Sequence, residues 1–383
     1  MGYSVANYGS MFEDKWRMDA YISAIKKHIN KETVVLDLGA GTGIFSLLAC
    51  KYGAKKVYAI EPNTCISVGV KAARVNGFSD KIEFFNEPSE QVRLNERVDL
   101  IISDLRGILP LLGDNIGTLI DARKRFLKRD GIFIPHSDNI YAAVVNSPKL
   151  YKGIVNTWDR NRYKFDLEDS KKVCLNTFYN EDFKSTRLIS NRKLWQTINY
   201  NEIKHKKFNN SLEFKLKEKS TAHGFSLWFD SVLVPGVKLI NSPEVKGAKV
   251  YGRAFFPFLK PLDIEKGDRI KVDLSARLVS NEYVWTWNTE HFKKNAKRTY
   301  NSFKQSTFYA TSLTPEYFLK RAKEYKTSLN DKGILDLEVL KMFSINKNIS
   351  EIADRIFKKY PKRFKNLNEA IAFTGELSYK YSK

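Results

Sequence analysis

With 383 residues, 43% hydrophobic and 28% charged, the chain is long enough for two or three domains with sizeable cores. No apolar run approaches the roughly 20 residues that span a bilayer, and Met1-Gly2-Tyr3-Ser4 lacks the basic-then-apolar pattern of a signal peptide. A formal net charge of +22 leaves two readings: lysines on solvated faces, or an acidic or nucleic-acid partner.

The basic residues are spread widely, with clusters at 293–298, 320–326 and 358–365. No zinc finger, RNP motif or basic coiled coil focuses them, so nucleic-acid binding is kept as the lesser reading. Gly2 leads almost directly into a helix, which argues against myristoylation. Cys50, Cys65 and Cys174 have no metal-ligand spacing, and an odd count argues against a disulfide framework. A cytoplasmic protein without a metal site or a membrane partner is expected.

In chain order, residues 11–30 read as one helix, with Trp16, Met18, Tyr21, Ile22 and Ile25 between charged residues. A regular alternation comes next. "TVVLDLG", "KVYAIEP", "KIEFF" and "VDLIISD" read as strands. "GIFSLLACKYG", "ISVGVKAARVNG" and "TLIDARKRFLKRDG" read as helices ending on Gly53, Gly77 and Gly131. The pattern predicts a parallel, doubly wound sheet. From about residue 140, "SLEFKL", "FSLWFDSVLV", "RIKVDLSARLV" and "YVWTWNT" predict an antiparallel β-domain. Beyond about residue 314 the chain turns helical and charged.

The strongest chemical signal is "VVLDLGAGTG". Gly39, Gly41 and Gly43 lie between a strand and a helix, where glycines let a ligand approach the backbone and the helix N-terminus. A nicotinamide turn of the form G-x-G-x-x-G would need glycine where Ile44 stands. G-x-G-x-G, with Asp37 two residues before it, fits S-adenosylmethionine better. Glu61 ends the next strand, where a carboxylate can bind both ribose hydroxyls. Pro88 and Ser89, after the third strand, complete the expected cofactor set. Ligands of such sheets sit outside the carboxyl ends of the strands. Asp104, which closes the apolar run "VDLIISD", therefore faces the cofactor crevice.

At these residues the chain resembles the protein arginine methyltransferases, especially their bacterial relatives, up to about residue 310. "YGSMFEDKWRMDAY" resembles the family's helical lid, with Met11, Asp14, Arg17 and Tyr21 on its recurring positions. The resemblance implies that Arg17 grips the cofactor's carboxylate, a charge-assisted pair. "YKGIVNTWDRNRYKFDLED" and the segment after it resemble the arm that joins two subunits. "HGFSLWFD" and "YVWTWNTE" resemble barrel strands. A homodimer is implied.

The acceptor loop "SDLRGILPLLGD" departs from the family pattern, in which two glutamates nine residues apart clamp a guanidinium through bidentate hydrogen bonds. Asp104 takes the first position and Gly113 the second. Asp114, one step off, could swing in. Arg106 stands where the family usually has Met. Asn301, Ser302 and Phe303 replace a signature Thr-His-Trp. A guanidinium in a closed pocket needs negative charge nearby, and one aspartate facing an arginine supplies little. The residues leave open an amine or hydroxyl acceptor, with Asp104 as base, or a carboxylate acceptor held by Arg106. Met11, Asp104, Arg106 and Asp114 are the candidate catalytic residues.

The last segment reads as three helices with apolar faces on Leu335, Leu337, Val339, Leu340 and Phe343; Ile349, Ile352, Ile356 and Phe357; and Leu367, Ala370, Ile371, Phe373 and Leu377. Asn348 is a plausible cap between the first two. Its "SEIA" stretch weakly resembles small winged-helix peptide chaperones. The expected architecture is α/β: a class I Rossmann-like methyltransferase domain at 1–139, an antiparallel β-barrel domain at 140–312 with a dimerisation arm at about 166–191, and a helical module at 313–383. The expected activity is S-adenosylmethionine-dependent methylation of a peptide or small molecule, as in peptide or natural-product tailoring. True protein arginine N-methylation is the first alternative. A non-enzymatic nucleic-acid-binding protein on the same scaffold is the second.

Overall fold

The computed structural model describes residues 4–181, 186–245, 250–311, 314–345 and 347–382. Residues 1–3, which bear on the signal-peptide and myristoylation readings, lie outside the described set, as does the expected domain junction at 312–313. Two compact units emerge, Met1–Thr311 and Ser312–Lys383.

The first unit opens with two helices rather than one, α1 (Val5–Glu13) and α2 (Lys15–His28). Asp14 separates them because its side chain accepts from the Arg17 backbone N–H and caps the second. Then come β1 (Val34–Leu38), α3 (Ile44–Lys51), β2 (Lys56–Ile60), α4 (Ile66–Val75), β3 (Ile82–Phe85), β4 (Val98–Ser103), α5 (Asn115–Phe126) and β5 (Leu127–Ile134). The sheet is parallel, in the order β3-β2-β1-β4-β5. Its central strands are apolar because both faces are covered: every residue of β1 is buried. The helix expected to end on Gly131 stops at Phe126. Leu127–Ile134 is claimed instead by pairing with β4, which buries Phe133 and Ile134.

β6 (Ser137–Asn146) starts the antiparallel part, just before the expected boundary at 140. Next are α6 (Pro148–Asp159), α7 (Glu168–Leu175), β7 (Tyr179–Asn180), β8 (Arg187–Leu188), β9 (Lys193–Asn199), β10 (Lys207–Lys215), β11 (Ser220–Val234), β12 (Val237–Leu239), β13 (Ala254–Ile264), β14 (Arg269–Val279), β15 (Glu282–Phe292) and β16 (Asn301–Ser306). They form a seven-stranded sheet around β11 and a four-stranded sheet β10-β14-β15-β16. Among the described residues, strand pairing leaves these as two sheets rather than one closed barrel. Trp195, Trp285, Trp287 and Phe256 fill the space between them.

The expected arm at about 166–191 takes in α7. Of 166–191, residues 182–185 lie outside the described set, β7 pairs with β13, and β8 pairs with β6. The exposed element is the α6–α7 hairpin, whose connection carries Tyr163 and Phe165, 61% and 66% exposed.

The second unit holds α8 (Pro315–Leu319), α9 (Asp331–Phe343), α10 (Ile349–Lys359) and α11 (Leu367–Tyr381). Leu335, Val339, Ile352, Ile356, Phe364 and Ala370 make its core, while Leu337 and Ile349, expected inside, are exposed. Asn348 caps α10, with Glu351 reciprocating. Among its described residues there is no strand.

Candidate active site

A cavity of 390 Å³ opens at the carboxyl ends of β1, β2 and β4, lined among others by Met11, Arg17, Gly39, Glu61, Asp104, Arg106 and Tyr251. Its floor is the turn after β1. Gly39, Gly41 and Gly43 all have φ in the left-handed region, at 77°, 56° and 77°. A side chain at Gly39 would collide with Leu105, and one at Gly41 with the ring of Tyr8 from α1. The turn is thus both strained for other residues and closely covered. α3 starts at Gly43 without a side-chain cap.

Glu61 is buried and fixed. One oxygen accepts from Gly41 N at 3.0 Å and the other from Asn63 N at 2.8 Å. Asp37 is buried beneath the turn. One oxygen accepts from Ser46 N and Ser46 Oγ, at 2.9 and 2.6 Å, while the other has no hydrogen-bond partner. Burial pushes its carboxyl up to about 7, against the pull of the Ser46 bonds.

The chemistry beyond the turn is a chain of buried charges. Arg17 places Nη2 at 2.6 Å and Nε at 2.8 Å from Asp104 Oδ2. Arg106 approaches Asp104 Oδ1 through Nε and Nη2, both at 2.9 Å. Arg106 Nη1 also lies 2.9 Å from Asp138 Oδ1 and donates to Ser231 Oγ. Arg106 Nη2 donates to the hydroxyls of Tyr21 and Tyr251, at 2.6 and 3.0 Å. Every N–H of that guanidinium therefore has an acceptor. The rings of Phe229 and Tyr251 lie 5.1 and 5.0 Å from it. Tyr200 donates to the other oxygen of Asp138 at 2.7 Å. Burial alone would raise the Asp104 carboxyl, but Arg106 and Arg17 outweigh it and hold the group below its ordinary value. Burial would lower the Arg106 guanidinium, and Asp138 leads the groups that raise it instead.

The expected residues are distributed unevenly around this cavity. Met11, Arg17, Gly39, Glu61, Asp104 and Arg106 line it. Gly41, Gly43 and Asp37 shape the turn from behind. Pro88 is exposed and Ser89 is buried with its carbonyl accepting from Arg125, and neither lines the cavity. Asp114 does not swing in. It caps α5 through the Gly117 N–H and pairs with Lys206 at 2.7 Å. Gly113 has φ 48°, so the chain turns away at the expected second clamp position. Asn301, Ser302 and Phe303 are strand residues of β16, paired with β15.

The sequence reading missed Tyr251, Asp138, Ser231 and Tyr200. Asp138 carried a usable signal: a carboxylate opening the apolar run "IYAAVV", the same anomaly that singled out Asp104.

Fold and site define an α/β protein in which a Rossmann-like cofactor cradle meets an antiparallel β-domain. The family described as "PRMT5 oligomerisation domain" matches residues 137–354, more than half of the chain. The family "Ribosomal protein L11 methyltransferase (PrmA)" matches residues 19–137. The chain is 30% identical over 240 residues to a probable protein arginine N-methyltransferase 6 of Arabidopsis thaliana, covering 60% of this chain and 55% of that protein. It is 28% identical over 284 residues to protein arginine N-methyltransferase 1 of Saccharomyces cerevisiae, covering 71% and 81%. Among solved structures, the Trypanosoma brucei PRMT1 enzyme–prozyme heterotetrameric complex with AdoHcy superposes with a TM-score of 0.70 at 22% identity, covering 78% of this chain and 96% of that one. Arabidopsis thaliana protein arginine methyltransferase 10 gives 0.69 at 22%, covering 79% and 97%. These two likenesses establish the shared fold. The chain belongs to the protein arginine methyltransferase-like family, and it spans about half the length of the Arabidopsis thaliana relative.

Proposed function

We propose that the protein transfers a methyl group from S-adenosylmethionine to an acceptor on a peptide or small molecule. The observation that carries this reading is the cradle itself: Gly39 and the fixed carboxylate of Glu61 line one cavity, and the left-handed Gly41 and Gly43, with Asp37 buried beneath them, hold the turn in shape. When bound, the cofactor supplies an electrophilic methyl on a sulfonium. Glu61 would take the ribose hydroxyls, and Arg17 the carboxylate, leaving Asp104 at the acceptor side. Methyl transfer is an in-line displacement, so the chain's work is to align donor and acceptor and to exclude water. Tyr8 and Met11 from α1 cover the cavity in that role.

A second reading, arginine N-methylation of proteins, is favoured by the names of the relatives in Arabidopsis thaliana and Saccharomyces cerevisiae. Assembly into oligomers agrees with the matched oligomerisation domain. A cytoplasmic setting agrees with the three cysteines, none of them in a disulfide. Peptide or natural-product tailoring is the pathway class we favour for the first reading. The deciding experiment is calorimetry with S-adenosylhomocysteine. Micromolar binding, about −8 kcal/mol, is expected, and no binding would remove both enzyme readings.

A further inference from the structure

We propose that this site accepts an uncharged nucleophile and that Arg106 is the residue that excludes arginine. The inference rests on the methyltransferase reading above and names the acceptor class for the same cavity. A substrate guanidinium needs carboxylates with free lone pairs. The two buried carboxylates around the loop after β4, Asp104 and Asp138, already hold a guanidinium of the chain's own, and Glu61 is taken by the backbone N–H groups of Gly41 and Asn63. Arg106 has no N–H left over and lies between aromatic rings, so it is seated as a bound guanidinium would be. Asp104 also carries Arg17. Asp114 points to Lys206 and the start of α5. A second cation entering beside Arg106 would be desolvated without a partner.

A separate observation points the same way. The chain carries a net +22, which repels arginine-rich segments before they dock.

The charge balance suits a neutral acceptor. With Arg17 on the cofactor's carboxylate, Asp104 and Asp138 face Arg106 and leave one net negative charge for the donor's sulfonium. Transfer to a neutral O–H or N–H acceptor breaks the S–CH3 bond, leaves its electron pair on sulfur, and forms the acceptor–CH3 bond. The acceptor's proton goes to Asp104 Oδ2, which would keep only the Tyr251 hydroxyl, at 2.8 Å, once Arg17 turns to the cofactor's carboxylate.

The test has two arms on the full chain, after S-adenosylhomocysteine binding has been measured. In the first, wild-type protein with methyl-labelled cofactor is given an arginine-rich peptide in a single turnover. No label on arginine is expected, and stoichiometric label on arginine overturns the proposal. In the second, Arg106→Ala is melted in millimolar guanidinium chloride and in sodium chloride of equal ionic strength. The emptied seat keeps Asp104, Asp138, Tyr21 and Tyr251, so guanidinium should raise the variant's midpoint by about 2–4 °C and leave wild type unmoved. Equal midpoints in the two salts overturn the proposal. If Arg106→Ala does not fold in either salt, the wild-type arm decides alone. Absence of S-adenosylhomocysteine binding would instead sink the methyltransferase reading beneath it.

Discussion

Arg106 and Asp138 lie 32 residues apart in sequence, yet their side chains meet at 2.9 Å with 2% and 0% exposure. The pair joins the loop after β4 to the first strand of the antiparallel part. Breaking one partner of such a pair strands a charge in the interior. Arg106→Met and Asp138→Asn should each lower unfolding stability by about 3–5 kcal/mol. The double variant should lose less than the sum, because neither charge is then orphaned. Urea titrations of the three variants check this, and full additivity would count against it.

Glu61 gives both carboxylate oxygens to backbone N–H groups of the glycine turn and its neighbour. Glu61→Ala should weaken S-adenosylhomocysteine binding by about 1–3 kcal/mol through lost charged hydrogen bonds. Glu61→Gln should recover part of it. Calorimetry measures both, and unchanged affinity in the alanine variant would separate Glu61 from the cofactor.

Asp37 should make stability depend on pH. Its carboxyl titrates at about 7 in the fold, because of burial, against an ordinary value of 3.8. Between those values the folded chain keeps a proton that the unfolded chain has lost. Unfolding then releases a proton, so this group's contribution to stability falls as pH rises from 3.8 to about 7 and is level above that. Asp37→Asn should flatten this part of the profile. Denaturation midpoints compared from pH 5 to 8 give the result, and parallel profiles would refute the assignment.

Asp114 is a cap rather than a clamp. Asp114→Asn keeps a capping oxygen but gives up the Lys206 pair, and should be mild in both stability and methyl transfer. Asp114→Ala should cost about 0.5–2 kcal/mol of stability. A single-turnover rate lowered a hundredfold by Asp114→Asn would restore Asp114 to the acceptor site.

Homodimerisation through the α6–α7 hairpin is expected from the exposed Tyr163 and Phe165 on one side and the exposed Phe12, Trp16, Val68 and Val75 around the cofactor domain on the other. Tyr163→Ser with Phe165→Ser should shift the sedimentation coefficient toward a monomer. A wild-type monomer at micromolar concentration would rule the assembly out.

What could be read from sequence was local. The glycine turn, Glu61 and Asp104, the residue just after β4, follow from period and punctuation, and those segments fold as their own patterns dictate. Asp114 was misread although its position, just before a helix, is a cap signature in its own right. The extent of α5 was misread because pairing with β4 overrides helix propensity at Leu127. The fate of Arg106 was illegible for a different reason. Its acceptors come from Tyr21, Asp104, Asp138, Ser231 and Tyr251, and no spacing rule links those segments. Only the count of carboxylates against cations hinted that the pocket was already electrically satisfied.

The same scattering makes Arg106 a sentinel of assembly. A half-formed first unit, with the α/β sheet closed but β6, β11 or Tyr251 not yet in place, would hold a guanidinium in a drying interior with too few acceptors. Such a state is penalised by the charge itself, so partial order is discouraged on both sides of the sheet junction. The arginine at this position thus couples completion of the cofactor domain to completion of the β-domain, and a chain cut short before Tyr251 would leave its guanidinium one hydroxyl acceptor and one covering ring short.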